Sequence, residues 1–355
     1  MPVTPTCGKR RLYETDNMEN TYKKGSVVLM ILKRILSVLV CTATVCALFT
    51  GCGGKSAEFT IGLSQISDHP SLNTIRESFT AEMERLGYGP DRVSINYKNA
   101  QGDQSNLNSI SQTFVGDQVD LIVAIATPTA QSAAAAAENS GIPVLFSAVT
   151  DPVAAKLVQD GQNPGGTITG TSDAIPVESI FGLAAQLTPN AKTFGFVYNL
   201  GEANSVSVIN DAKAYCDQNG LTYKESTVTN SSEVQQAAQS LVGSVDAFFT
   251  PIDNTVAEAM PVFAEVAINA GLPIYPGADS MVIDGGFATV GIDYTVLGQK
   301  TAEMAIAILE GGDPATMPVV TLDNFRGIIN KETADALNID ISGVTDMEVY
   351  TGGEE

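Results

Sequence analysis

From residue 58 onward the chain alternates short apolar runs with longer amphipathic stretches, the pattern of strands and helices laid down in turn. Its clearest passage runs from Asp120 to Val153. DLIVAIA is apolar without alternation, as in a strand buried on both faces. TPT follows, placing Thr129 as the cap of an Ala-rich helix over 130–138. Gly141 ends that helix, and Pro143 opens a second apolar run, VLFSA. Strand, helix, strand is a parallel βαβ unit. Open parallel sheets bind ligands beyond the carboxyl ends of their strands. Here those ends carry Thr127, Pro128, Thr129, Ser147, Thr150 and Asp151: hydroxyls and one carboxylate, with neither a metal-ligand cluster nor a nucleophile–base pair.

Upstream, FTIGLSQ (59–65) and RVSINYKNA read as strands. Between them TIRESFTAEMERLGY spaces Ile75, Phe79, Met83 and Leu86 as one helix face, and Asn106 to Phe114 reads as another helix. GTITGTS (166–172) is a short fifth strand or a crossing segment. At Lys192 the pattern restarts. KTFGFVYN and LTYKESTV are strands, and a second βαβ unit begins at Val245-Asp246, as the first begins at Val119-Asp120. The first unit closes with Gly141-Ile142-Pro143-Val144, the second with Gly271-Leu272-Pro273-Ile274. This internal repeat predicts an α/β fold: two similar doubly wound parallel-sheet lobes of five strands each. Lobe 1 would span 58–168 and 292–315, lobe 2 169–291 and 316–355. The chain would cross between them near Gly170, Asp293 and Pro318, a three-segment hinge that bends without letting the lobes slide apart. A cleft between two such lobes is a favoured ligand site.

The N-terminal region is of another kind. Residues 1–29 are polar and unpatterned, and are read as an extension ahead of the true start at Met30. Lys33 and Arg34 then precede an apolar run of 16 residues, Ile35 to Thr50. That is short for a bilayer span, which takes about 20, and fits a secretory signal over 30–51. Leu48-Phe49-Thr50-Gly51-Cys52 resembles a bacterial lipobox, with Cys52 as the lipidated residue and 53–57 as a tether.

Charge narrows the partners. The chain carries 19 Lys and Arg against 40 Asp and Glu. From Gly53 on the balance is 12 against 37. So acidic a body is repelled by nucleic acid and by anionic lipid, leaving the lipid anchor as its membrane contact. One His, no Trp and five Cys, four of them before residue 53, disfavour zinc sites and a disulfide framework. No GxGxxG lies at a strand–helix turn and no Walker motif is present, so a nucleotide cofactor has no support. No cofactor or metal is expected, and a monomer is the default.

Candidate site residues sit where each strand hands over to a helix. HPSLN places His69, Pro70 and Asn73 there, either touching a ligand or only starting a helix. Thr127, Thr129 and Ser147 suit an anion at a helix start, or simple capping. Asp151 before Pro152 either contacts ligand or holds a turn. In the second lobe Asn204 and Ser205 are caps or donors. In PIDN, Asp253 and Asn254 end a strand: a carboxylate there partners an ammonium group or caps the next helix. Asp279, in GADS, is similar. Carboxylates at 151, 202, 253 and 279 do not fall at a spacing that fixes an acid–base pair, which argues against an enzyme.

Taken in order, HPSLN, YKNAQGD, VAIATPTAQ, FSAVTDPV, YNLGEANSV, PIDNTVAEA and GIDYTVLGQKTAEMA resemble the substrate-binding lipoproteins of ABC importers, of the tryptophan/tyrosine type, over nearly all of 58–340. The resemblance implies a type I periplasmic-binding fold and an exported, lipid-anchored protein. It also implies an open-to-closed motion, an aromatic amino acid ligand, and permease and ATPase partners. Where relatives often carry Asp and Pro, this chain has Asn73 and Leu200. For an amino acid, the carboxylate would go to Thr127, Thr129 and Ser147. The ammonium would go to Asp253 with Asp279, and the aromatic ring would lie against Pro128, Pro70 and Tyr294. A sensor using the same fold, or a site for another amino acid, a nucleoside or a sugar, are the alternatives; the lack of Trp weighs against sugar.

Overall fold

The structure is a computed structural model and describes residues 57–353; the expected signal segment and Cys52 lie outside them. The first stretch holds β1 (Phe59–Gln65), α1 (Pro70–Arg85), β2 (Val93–Asn99) and α2 (Gln104–Gly116), then β3 (Leu121–Ile125), α3 (Thr127–Ala137), β4 (Val144–Ser147) and β5 (Ile168–Ser172). The second holds α4 (Val177–Leu187), β6 (Thr193–Asn199), α5 (Ala203–Asn219) and β7 (Thr222–Val228). It continues through α6 (Val234–Leu241), β8 (Ala247–Thr250), α7 (Asn254–Glu258), α8 (Met260–Asn269), β9 (Ile274–Pro276) and α9 (Asp279–Ile283). Last come β10 (Ala288–Gly291), α10 (Tyr294–Leu309), β11 (Val320–Thr321), β12 (Arg326–Asn330), α11 (Lys331–Leu337) and β13 (Met347–Tyr350).

Lobe 1 is built on a six-stranded sheet, ordered β11-β5-β4-β3-β1-β2 and parallel throughout. The unalternating apolar run at β3 has the expected cause. Leu121, Val123 and Ile125 pack into one hydrophobic cluster and Ile122 and Ala124 into another, one on each face of the sheet. Lobe 2 has a parallel four-stranded sheet, β7-β6-β8-β9, and a separate three-stranded sheet, β10-β12-β13, in which β10 runs antiparallel to β12. A core of Phe181, Phe194, Phe196 and Phe249 lies on the four-stranded sheet, their rings meeting at tilted or edge-on angles.

The internal repeat has a physical basis. Asp120 accepts a hydrogen bond from the backbone N–H of Thr60 at 2.6 Å, and Asp246 accepts from that of Thr193 at 2.8 Å. Each carboxylate thus pins the first strand of its lobe to the third. Gly271, with φ of +69°, directly follows the cap of its helix, while Gly141, at +77°, turns the chain three residues beyond the cap of α3; both sit in the left-handed region that glycine enters freely. The copies diverge between these marks. One helix in lobe 1 becomes two in lobe 2, broken where Pro261 opens α8.

The expected α/β fold of two parallel-sheet lobes is borne out, while the strand count and the assignment of two strands differ. β5 and β11 both lie in the first sheet, where β11 pairs with β5 at Val320–Thr171 and Thr321–Ser172. The crossings therefore fall at 173–176, 292–293 and 322–325, later than Gly170 and Pro318 at the first and third. Two strand-length pieces of chain were assigned to lobe 2 because their few residues carry no periodicity that names a sheet. Asp293 and Arg326, each beside a crossing, form an ion pair at 3.2 Å.

After the second crossing α10 returns to lobe 1 and lies along α1. Gly298 makes this approach possible: a Cβ there would lie 2.6 Å from the carbonyl oxygen of Ile75 and collide with Ser78. Gly298→Ala should therefore force the two helices apart and destabilise the protein by about 1–3 kcal/mol, read as a lower urea midpoint at unchanged m-value.

Candidate functional site

The carboxyl ends of both main sheets face one another, and the lobes meet across the gap. The Ser71 hydroxyl, on α1, donates to Ser280 Oγ on α9 at 2.7 Å, and the Ser207 hydroxyl, on α5, donates to Asp151 Oδ2 at 2.6 Å. Between these contacts lies a narrow chamber lined by residues of both lobes. Helices α1, α3 and α5 each bring their first turn to it, through Ser71 and Leu72, Thr127, and Asn204. Helix N-termini carry partial positive charge, so the chamber favours an anionic group near these turns.

Its chemistry lies in polar groups that are buried and lack partners among the described residues. These include both ring nitrogens of His69, Thr127 Oγ1, Asn204 Oδ1 and the Tyr294 hydroxyl. Burial holds the His69 pKa down at about 4, so the ring is neutral at pH 7, with one N–H to donate and one nitrogen to accept. Burial also pushes the Tyr294 phenol well above its usual value, and the Asp173 and Asp279 charges add to the shift.

Asp173 is the carboxylate that inspection of the sequence missed. It follows β5 at the start of the first crossing, lines the chamber and is 2% exposed. The Thr150 hydroxyl donates to its Oδ1 at 2.8 Å, and burial raises its pKa to about 6. Asp253 also lines the chamber, yet its oxygens are engaged. Oδ1 accepts from Val256 N at 2.8 Å; Oδ2 accepts from Asn199 N and from the Ser205 hydroxyl, both at 2.6 Å. Burial, with the nearby Glu202 carboxylate, raises its pKa. Glu202 in turn accepts from the backbone and side chain of both Asn254 and Thr255, locking α5 to α7.

Of the sequence-predicted residues, His69, Thr127, Asn204, Asp253, Asn254 and Tyr294 come together around the chamber. The others are placed elsewhere. Pro70 is exposed at the first position of α1, where its fixed φ suits a helix start and not a ring wall. Asn73 Oδ1 accepts from Gln65 Nε2 at 2.9 Å. Pro128 faces a more open cleft outside the chamber, with Gln131 and Gly201. Thr129 is buried inside α3, which begins three residues earlier than expected, so it caps nothing. Ser147 shares its hydroxyl with Thr171 and Thr301, at 3.2 and 2.8 Å, tying α10 to the sheet. Asp151 is at the seam between lobes, Ser205 serves Asp253, and Asp279 accepts from the N–H of Ser280.

One backbone feature also belongs to the site. Ala126, at the turn from β3 into α3, has φ +77° and ψ 156°, a region that glycine occupies almost alone. The turn aims Thr127 at the chamber.

Two α/β lobes on three crossing strands, closed over a small chamber with unpaired polar groups, define a solute-binding protein. The model of the family described as ABC transporter substrate binding protein matches residues 60–346. Over 322 residues the chain is 38% identical to the tyrosine-binding protein of Clostridioides difficile strain R20291, covering 86% of this chain and 93% of that one. An ABC domain from Streptococcus pneumoniae, solved in complex with L-Trp, aligns with a TM-score of 0.80 at 37% identity, over 83% of this chain and 100% of that one. The ligand-free, open structure of a Clostridium difficile substrate-binding protein with adhesive properties aligns at 0.65, with the same identity and coverage. The chain belongs to the ABC transporter substrate-binding proteins, as the motif string implied. The higher score with the L-Trp complex accords with the lobe-to-lobe hydrogen bonds: this is a closed form.

Ala126→Gly should relieve the strained turn. Strain of this kind costs about 1–3 kcal/mol, partly offset by the greater unfolded-state freedom of glycine, about 0.5–1 kcal/mol. A net gain of about 1 kcal/mol is expected in chemical unfolding of the ligand-free protein.

Proposed function

We propose that this protein captures an L-aromatic amino acid, tyrosine or tryptophan, and delivers it to the permease of an ABC importer. The observation that carries this is one buried carboxylate, Asp173, in the same closed chamber as the free Thr127 hydroxyl at a helix N-terminus. These are the two complements of a zwitterion. Asp173 takes the ammonium, in place of the already engaged Asp253. Thr127 and the first turn of α3, with the neutral His69 as a further donor, take the carboxylate. Leu72, Ile252 and Met281 supply apolar wall for a ring. Asn204 Oδ1 is a partner for a phenol or an indole N–H. The ligands named for the tyrosine-binding protein and for the L-Trp complex above support the same assignment.

The lipobox-like segment supports an exported protein anchored through Cys52, and the family match supports binding without catalysis. Among the described residues no helix is long and apolar enough to cross a membrane.

The protein contains no Trp, so indole emission in a titration with L-tryptophan comes from ligand alone. Saturable emission or calorimetric heat with L-tryptophan or L-tyrosine is the expected result; neither signal from either amino acid, in folded protein stripped of ligand, would overturn the assignment. Asp173→Asn should weaken binding by about 1.5–3 kcal/mol, the worth of a charge-assisted bond. The sign of the pH effect follows from the raised pKa. Ammonium binding needs ionised Asp173, so affinity should hold above pH 6 and fall by up to tenfold per unit below it. In Asp173→Asn that dependence should vanish.

A further inference from the structure

The narrow chamber has a neighbour with far more room. The open cleft that Pro128 faces has a volume of about 440 Å³, ample for a further amino acid residue, and it too is lined by both lobes. Three turns divide their residues between the two spaces. Ser67 lines the cleft and His69 the chamber; Pro128 and Thr127 divide in the same way, as do Glu202 and Asn204. At a fourth turn a single residue, Asn254, lines both. The spaces therefore adjoin at the first turn of α3, with the Asn254 side chain at the junction. Asn254 is held there as a fixed wall. It is buried, and its Nδ2 and backbone N–H donate to one oxygen of Glu202, at 2.6 and 3.1 Å. Burial lowers the His69 pKa, and the Asn254 side chain, near it across the seam, partly offsets that shift. The cleft beyond is polar. Gln101, Gln104 and Asn230 contribute amides, and Ser67, 4% exposed, has a hydroxyl without a partner among the described residues. Among the described residues its charged lining is Glu202 and Glu258. Such a lining hydrogen-bonds a neutral peptide unit and repels an anion.

We propose that Asn254 is a specificity-determining residue: its side chain closes the carboxyl end of the site and so selects a free amino acid over the same residue at the head of a peptide. This rests on the amino acid assignment above, which puts the α-carboxylate at Thr127 and His69, beside the junction. A peptide carbonyl held there would send the rest of its chain toward Asn254. A fixed group that clashes with the larger relative supplies discrimination that attractive contacts to the smaller one do not. The ligand class admitted once the wall is removed is a peptide with tyrosine or tryptophan at its N-terminus and a neutral group after it.

The test compares the purified wild-type protein, stripped of ligand, with Asn254→Ala and Asn254→Ser by calorimetry. The probes are L-tyrosine and L-tryptophan, then L-tyrosyl-glycinamide and L-tryptophyl-glycinamide, extended at the carboxyl, and glycyl-L-tyrosine and glycyl-L-tryptophan, extended at the amine. The wild type should bind one or both free amino acids and reject all four extended probes. Asn254→Ala should raise the ratio of glycinamide to free amino acid affinity by at least about tenfold, the lower end of what a difference in fit is worth in a binding pocket. Asn254→Ser, which keeps a hydroxyl for Glu202, should move the ratio in the same direction by less. The glycyl-first dipeptides extend from the ammonium end, at Asp173, and should gain nothing. An unchanged ratio in both variants would overturn the proposal, as would wild-type protein that binds the glycinamides as tightly as the free amino acids. An equal gain for the glycyl-first dipeptides marks general loosening of the site and overturns it too. If Asn254→Ala fails to fold, the ratio in Asn254→Ser decides between these outcomes. Rejection of both free amino acids by the wild type is a distinct result, which overturns the ligand assignment itself.

Discussion

Closing the lobes takes polar groups out of water before anything in the protein pairs with them. His69, Thr127, Asn204 and Tyr294 all reach the chamber with buried atoms that accept or donate no hydrogen bond among the described residues. Each such atom costs about 1–3 kcal/mol, and the ionisable ones respond by staying neutral, as the lowered pKa of His69 and the raised pKa of Tyr294 record. A ligand whose polar atoms match these groups repairs the deficit in the closed form alone. That is the differential affinity a solute-binding protein needs if ligand is to select one state.

The rest of the structure keeps this deficit in place. The lobe faces are stiffened by groups that are fully paired: Asp253 with three donors, Glu202 with five, and Ser147 among threonine hydroxyls. Paired polar groups hold geometry, whereas unpaired ones await a partner. Across the seam there are few polar contacts to break. Ser71 with Ser280 and Ser207 with Asp151 are single hydrogen bonds, each exchangeable for water on opening. The three crossings at 173–176, 292–293 and 322–325 constrain the motion to a bend.

Much of the fold was legible because its signals are local. Unalternating apolar runs gave away strands buried on both faces, and the Val-Asp and Gly-x-Pro marks exposed the repeat. Those marks persist because Asp120 and Asp246 perform the same strand-pinning task in each lobe. The strand-end rule also picked out six of the residues that line the chamber, His69, Thr127, Asn204, Asp253, Asn254 and Tyr294. It failed at Pro70, Ser147 and Asp279, since a residue can lie at a strand or helix end and still turn away from the cleft. It missed Asp173 for a related reason. The rule applies there, but β5 is short and lies at a crossing, so its sheet was misassigned.

By itself, then, the sequence determined the fold class, the two-lobed repeat, the family, and the turns from which a site must be built. These follow from periodicity, turn residues and motif order, which are properties of neighbouring positions. Only the tertiary structure decided which carboxylate is free. Asp173 and Asp253 are alike as strand-end aspartates; one has a single hydroxyl donor and the other is saturated by Asn199, Ser205 and Val256. That difference is set by partners up to 54 residues away, and a lone sequence does not state where such partners converge.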